Sequence, residues 1–114
     1  MKEPIIFVEH IIENIEDIES FTENIEKEDF LENKEKQNAI IRSLEIIGEA
    51  VKNISPKLKT KYKDIPWKEI AGTRDKITHH YFGVDLELIW KIVKENLSNL
   101  KEQMLVIKKD LSDS

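Results

Sequence analysis

Between residues 40 and 54 the apolar side chains Ile40, Leu44, Ile47, Val51 and Ile54 recur at spacings of four, three, four and three. Only a helix of about 3.6 residues per turn gathers such a set on one face, so the stretch reads as an amphipathic α-helix. Three further stretches carry the same rhythm. Val8, Ile11, Ile15, Ile18 and Ile25 form the first, and Trp67, Ile70, Ile77 and Tyr81 the third. Leu86, Ile89, Val93, Leu97, Leu100, Met104, Ile107 and Leu111 form the last. Isoleucine occurs 18 times and favours strands by propensity, but the three-and-four spacing overrides that weak preference. Strand signals are nearly absent.

The residues between these stretches punctuate them. Residues 28–36 are a charged, Asn-containing connector with a short helical turn at Phe30 and Leu31. Ser55-Pro56 ends the second helix, because a residue before proline is pushed out of the α region. Residues 56–65 read as a Lys-rich loop, and Pro66 suits the first position of a third helix running to Tyr81. Gly83 is placed as its C-terminal stop and Asp85 as the N-cap of the last helix. Short connections between long amphipathic helices make antiparallel neighbours, so the expectation is an all-α, up-down bundle of four or five helices, with residues 1–114 forming a single domain. The last apolar stripe is longer than such a core needs, and self-association as a homodimer would use the surplus.

Composition narrows the chemistry. Hydrophobic residues make up 39% and charged ones 36%, enough for a modest core in a soluble chain and outside the range of disordered or low-complexity sequences. No apolar run approaches the roughly 18 residues of a membrane span. The N-terminal Ile-Ile-Phe-Val is too short, and too soon followed by Glu9, for a signal peptide. The chain has no cysteine, which removes disulfides, thiolate metal sites and cysteine nucleophiles. A cytoplasmic protein without a cofactor is expected.

The net charge of −5 is unevenly spread: residues 1–51 carry −9, residues 52–76 carry +5 and residues 77–114 carry −1. An acidic chain with one basic window does not coat DNA but leaves room for a local anion site. Taken alone, a run of lysines is usually a solvated surface. Of the 18 basic residues only Arg42 and Arg74 are arginine, whose rigid planar fork lysine lacks.

Beside the basic window, Arg74, Asp75, His79, His80 and Tyr81 fall within eight residues. On one continuous helix Asp75 and His79 are i and i+4, so the carboxylate could orient the imidazole. Arg74 and Tyr81 would share a face, with Ile77 between them. Arg74 and His79 would stand about 140° apart, which is poor geometry for joint action on one surface. Either the helix is distorted near Gly72, or two copies face each other across a dimer axis. A helical histidine is commonly a surface residue, and Trp67 and Trp90 read as core anchors. His79 and His80 lie about 100° apart, and no HExxH-type pair exists, so no metal site is expected. A Gly-rich phosphate loop and a Ser-His-Asp set are both missing from the sequence.

Residues 38–106 resemble the HepT-like toxins of the HEPN superfamily. The likeness rests on NAIIRSLEIIGEAVKNIS, on DIPWKEIAGTRDKITHHYFGVDLELIW, and on the Arg-x4-His-x-Tyr pattern of Arg74, His79 and Tyr81. The resemblance implies a metal-independent endoribonuclease toxin, active as a homodimer and encoded beside an MntA-like minimal nucleotidyltransferase antitoxin. It also implies residue roles: Arg74 binds the scissile phosphate, His79 moves protons, Asp75 is the polar residue after the arginine, and Tyr81 accepts AMP from the antitoxin. Lys76 is a further candidate for phosphate binding, and His80 falls at a variable position and receives no role. The chemistry suits the residues. RNA carries its own nucleophile in the 2′-hydroxyl, a histidine can accept or donate protons near neutrality, and an arginine stabilises charge on a phosphate. One histidine per chain cannot easily be acid and base in one turnover, whereas two in a dimeric cleft can. A non-catalytic helical adaptor that only binds its nucleotidyltransferase stays open beside the RNase reading.

Overall fold

A computed structural model describes residues 5–79 and 83–113, His79 through its backbone. The described residues form eight helices: α1 (Ile6–Thr22), α2 (Lys27–Glu32), α3 (Lys34–Lys52), α4 (Pro56–Lys61), α5 (Trp67–Ala71), α6 (Thr73–Ile77), α7 (Leu86–Glu95) and α8 (Leu97–Asp113). Two two-residue strands, β1 (Thr78–His79) and β2 (Gly83–Val84), pair antiparallel between α6 and α7. The architecture is the expected all-α bundle.

The apolar stripes do what their spacing requires. Val8, Ile11, Ile15 and Ile18 of α1 are fully buried against α3 and α8, where Ile40, Val51, Met104 and Ile107 are also fully buried. Phe30 of α2 is fully buried and stacks on Trp90 of α7 at 5.3 Å between ring centres, and the Lys94 ammonium lies 4.7 Å from the centre of the Trp90 ring. Trp67 is buried, and its indole N–H donates to the Tyr62 carbonyl at 3.1 Å. Both tryptophans are core anchors, as expected.

Side-chain caps fix several helix starts. Asn33 accepts from the Lys36 amide at 3.0 Å, Ser55 from Leu58 at 3.1 Å, and Asp85 from Leu88 at 3.0 Å. Each satisfies one of the amides a helix N-terminus leaves without a partner. Asp85 is therefore the N-cap read from the sequence. At the C-terminal end, Tyr62 reaches from the end of α4 to donate its hydroxyl to Asp110 of α8.

Four expectations need correction. Residues 56–61 are helical, because Ser55 caps the turn, Pro56 occupies its first position and Leu58 is buried. The helix expected from Pro66 to Tyr81 stops and restarts at Gly72 and ends at Ile77. Thr78 then turns extended, and the chain pairs Thr78 with Val84 and His79 with Gly83. Gly83 is not a helix stop but a strand residue at φ +82°, a backbone conformation that L side chains rarely adopt. The last stripe is divided between α7 and α8, which meet at Asn96. Its seam is also used within the chain: Ile89, Leu97, Leu100, Met104 and Ile107 are all buried. The large apolar residues left exposed on α8 are Leu105 and Val106, which lie off that seam.

Candidate active site

The short helix α6 carries three of the five residues singled out by sequence. Arg74, Asp75 and Lys76 are all exposed, and the following Ile77 is fully buried and anchors the helix to the core. His79 lies on β1, not on the helix. The i, i+4 helical relation expected between Asp75 and His79 therefore does not exist, nor does the 140° offset between Arg74 and His79. The backbone between arginine and histidine changes from helix to strand at Thr78. The helix also breaks at Gly72, but that break precedes Arg74, and the change that separates Arg74 from His79 is the one at Thr78. Tyr81 and His80 lie outside the described residues.

Arg74 has a partner that sequence reading missed. Its Nε faces a carboxylate oxygen of Glu45, on α3, at 3.4 Å; the arginine side chain is 73% exposed and that of Glu45 30%. Glu45 sits among the apolar residues Leu44, Ile46 and Ile47. Glu45 and Gly48, three residues apart on a helix, share a face, but the sequence does not say what packs there. A Cβ at Gly48 would meet the carbonyl oxygens of Ala71 at 3.4 Å and Ile70 at 3.6 Å, so the end of α5 rests against α3 at that point. Glu45, one turn earlier on the same face, meets Arg74 just beyond the Gly72 turn.

Thr73 and Lys76 also help to line a groove together with the apolar Ile70, Leu88 and Ile92 and with Lys91. The charge map is divided. Lys27, Lys52, Lys101 and Lys108 pair with acidic residues, Lys101 bridging Glu16 and Glu19 of α1 at 3.6 and 2.9 Å. Its hydrogen bond to Glu19, reinforced by the charge of both carboxylates, raises the Lys101 ammonium above its ordinary pKa. Among the described residues, Lys57, Lys59, Lys63, Lys68 and Lys76 make no ion pair, so the basic window of the sequence keeps its positive charge. No group of three or more acidic or histidine side chains capable of holding a metal ion occurs among the described residues. No helix there is long and apolar enough to cross a membrane.

Comparison with known proteins identifies the family. The family model described as "Ribonuclease HepT-like" matches residues 11–107. The chain is 50% identical over 103 residues to the "Probable ribonuclease HepT" of Thermococcus cleftensis, covering 90% of this chain and 94% of that protein. It is 47% identical over 106 residues to a Methanocaldococcus jannaschii protein named "Gamma-glutamylcyclotransferase and putative RNase". The match covers 93% of this chain but only 48% of that relative, so the chain spans about half the relative's length. No solved structure gives a significant match. A family match over residues 11–107, with relatives this similar across nine-tenths of the chain, establishes that the chain belongs to the HepT-like ribonuclease family.

Proposed function

We propose that this chain is a metal-independent endoribonuclease that acts as a homodimer. We further propose that it is the toxin of a type VII toxin–antitoxin pair, held in check by an MntA-like nucleotidyltransferase. The observation that carries the reading is an exposed Arg74, five residues before His79 and on one short helix with the exposed Lys76, in a chain of a ribonuclease family. In the proposed reaction the RNA 2′-hydroxyl gives its proton to a His79 imidazole and attacks the adjacent phosphorus. The bond to the 5′-oxygen breaks, and the His79 of the second copy returns a proton to that leaving oxygen. A 2′,3′-cyclic phosphate and a free 5′-hydroxyl result. Arg74 holds two oxygens of the pentacoordinate phosphate and offsets the charge that develops there. Lys76 adds attraction for the backbone, and Asp75 is the polar neighbour of the arginine.

Two supports for the dimer are physical. A single His79 per chain must otherwise act twice in one turnover, and the apolar floor of the groove beside α6 is a surface that a second copy would cover. Control by the antitoxin would act at Tyr81. Its phenol oxygen attacks the α-phosphate of ATP bound to the nucleotidyltransferase, pyrophosphate leaves, and the attached AMP places an anion where RNA would meet the cleft's cations. The test is direct. The purified chain should degrade RNA in the presence of EDTA, and incubation with ATP, magnesium and the partner should add the mass of AMP to the peptide containing Tyr81. Loss of cleavage on chelation would overturn the mechanism, and modification mapped to another residue would overturn the control.

A further inference from the structure

We propose that Glu45 is a positioning residue for Arg74, holding the guanidinium by its Nε edge so that its terminal fork faces the substrate phosphate. The inference rests on the reading of Arg74 as the phosphate-binding residue. A guanidinium offers one N–H at Nε and four at its two terminal nitrogens. Glu45 approaches the Nε atom, at 3.4 Å, and in the proposed arrangement the two terminal nitrogens are left for the substrate. Those are the groups that clamp a phosphate in bidentate fashion. A long arginine side chain that is 73% exposed samples many rotamers unless something restrains it. Glu45 can restrain it because it stands on α3, a 19-residue helix whose face is held against α5 at Gly48. The contact is also too exposed to be a stability device, since ion pairs of this kind contribute little to folding. Its consequence lies in orientation.

The carboxylate has a second, opposing effect that makes the proposal testable. A negative charge next to Arg74 weakens ground-state attraction for an anionic substrate while improving the aim of the fork. Replacing Glu45 by Gln keeps the shape and removes the charge. Glu45→Gln should then leave the thermal midpoint unchanged, lower kcat on the order of 10- to 100-fold through loss of alignment, and leave KM for RNA unchanged or lower. Glu45→Asp, which keeps the charge on a shorter stem, should recover part of kcat. In an Arg74→Lys background the Glu45→Gln change should have no further effect on kcat, because the fork that it aims is gone.

A readout independent of cleavage separates this inference from the reading beneath it. The chain has only two arginines, so the Nε–H resonances of Arg42 and Arg74 are readily told apart by NMR. Glu45→Gln should move the Arg74 resonance and leave that of Arg42 in place. A wild-type protein that cleaves RNA, paired with a Glu45→Gln variant of wild-type kcat, overturns the positioning role and leaves the function standing. A rise in KM with kcat unchanged also overturns it. A wild-type protein that does not cleave RNA overturns the function, and an unmoved Arg74 resonance then overturns the pair as well.

Discussion

Arg74 presents planar donors, and planarity is the property a lysine cannot supply. Arg74→Lys keeps the charge and should still lose most of the RNA-cleaving activity, on the order of 100-fold in kcat, with little change in stability because the side chain is mostly exposed. Activity near wild type in that variant would reduce Arg74 to a general electrostatic contribution. A different residue reports on the fold. Burial, and then the hydrogen bond and charge of Asp110, push the Tyr62 phenol up from 10.0 to about 12. A raised folded pKa means that the protonated form is the one the fold favours. The corresponding stability is present below pH 10 and is lost as pH rises from there toward about 12. Ultraviolet titration of a Tyr81→Phe variant, which isolates Tyr62, should show the phenol ionising late; ionisation near 10 would contradict the burial of the phenol and its contact with Asp110. At this scale the sequence singled out Arg74, Asp75 and Lys76 as candidates, because arginine is rare here and the basic window is local. It was silent about the Glu45 contact, because nothing in a helix's own periodicity says which other element packs against its Gly48 face.

The segment from α5 to α7 is where element boundaries and site coincide. Two short helices, a two-stranded bridge and a capped helix follow one another within 29 residues, Trp67 to Glu95. The periodicity of Trp67, Ile70 and Ile77 was visible because it reports which face is buried. The breaks were not, because a helix that restarts at Gly72 keeps its buried face, and the bridge at His79 depends on pairing with Gly83 across residues that sequence pattern does not relate. Capping was legible where a short polar side chain preceded an apolar run, as at Asp85, and misread where Ser55-Pro56 ended one helix and also began another. Gly83 is the element-scale test. Its φ of +82° has open space around the missing Cβ, so Gly83→Ala should cost about 1 kcal/mol from backbone strain alone. Urea denaturation would measure that, and an unchanged midpoint would contradict the bridge geometry.

At the scale of the molecule, the all-α class was legible because four stripes with one period admit little else. The use of the last stripe was not, since α8 buries its seam against α1 and leaves Leu105 and Val106 outside. The proposed homodimer therefore draws on the groove beside α6 and on the need for two histidines, not on a surplus seam. Sedimentation at micromolar concentration should give a dimer, and an interface of about 1,000 Å² or more would be expected to sustain it; a monomer under those conditions would leave each His79 without its counterpart. In the proposed reaction, paired histidines and arginines drive 2′-hydroxyl attack on the RNA backbone. That chemistry is read from the new ends after cleavage in EDTA by wild type and by His79→Ala. The wild type should leave 2′,3′-cyclic phosphate and 5′-hydroxyl ends, and the variant should not cleave. Ends bearing 5′-phosphate, or equal cleavage by His79→Ala, would contradict it.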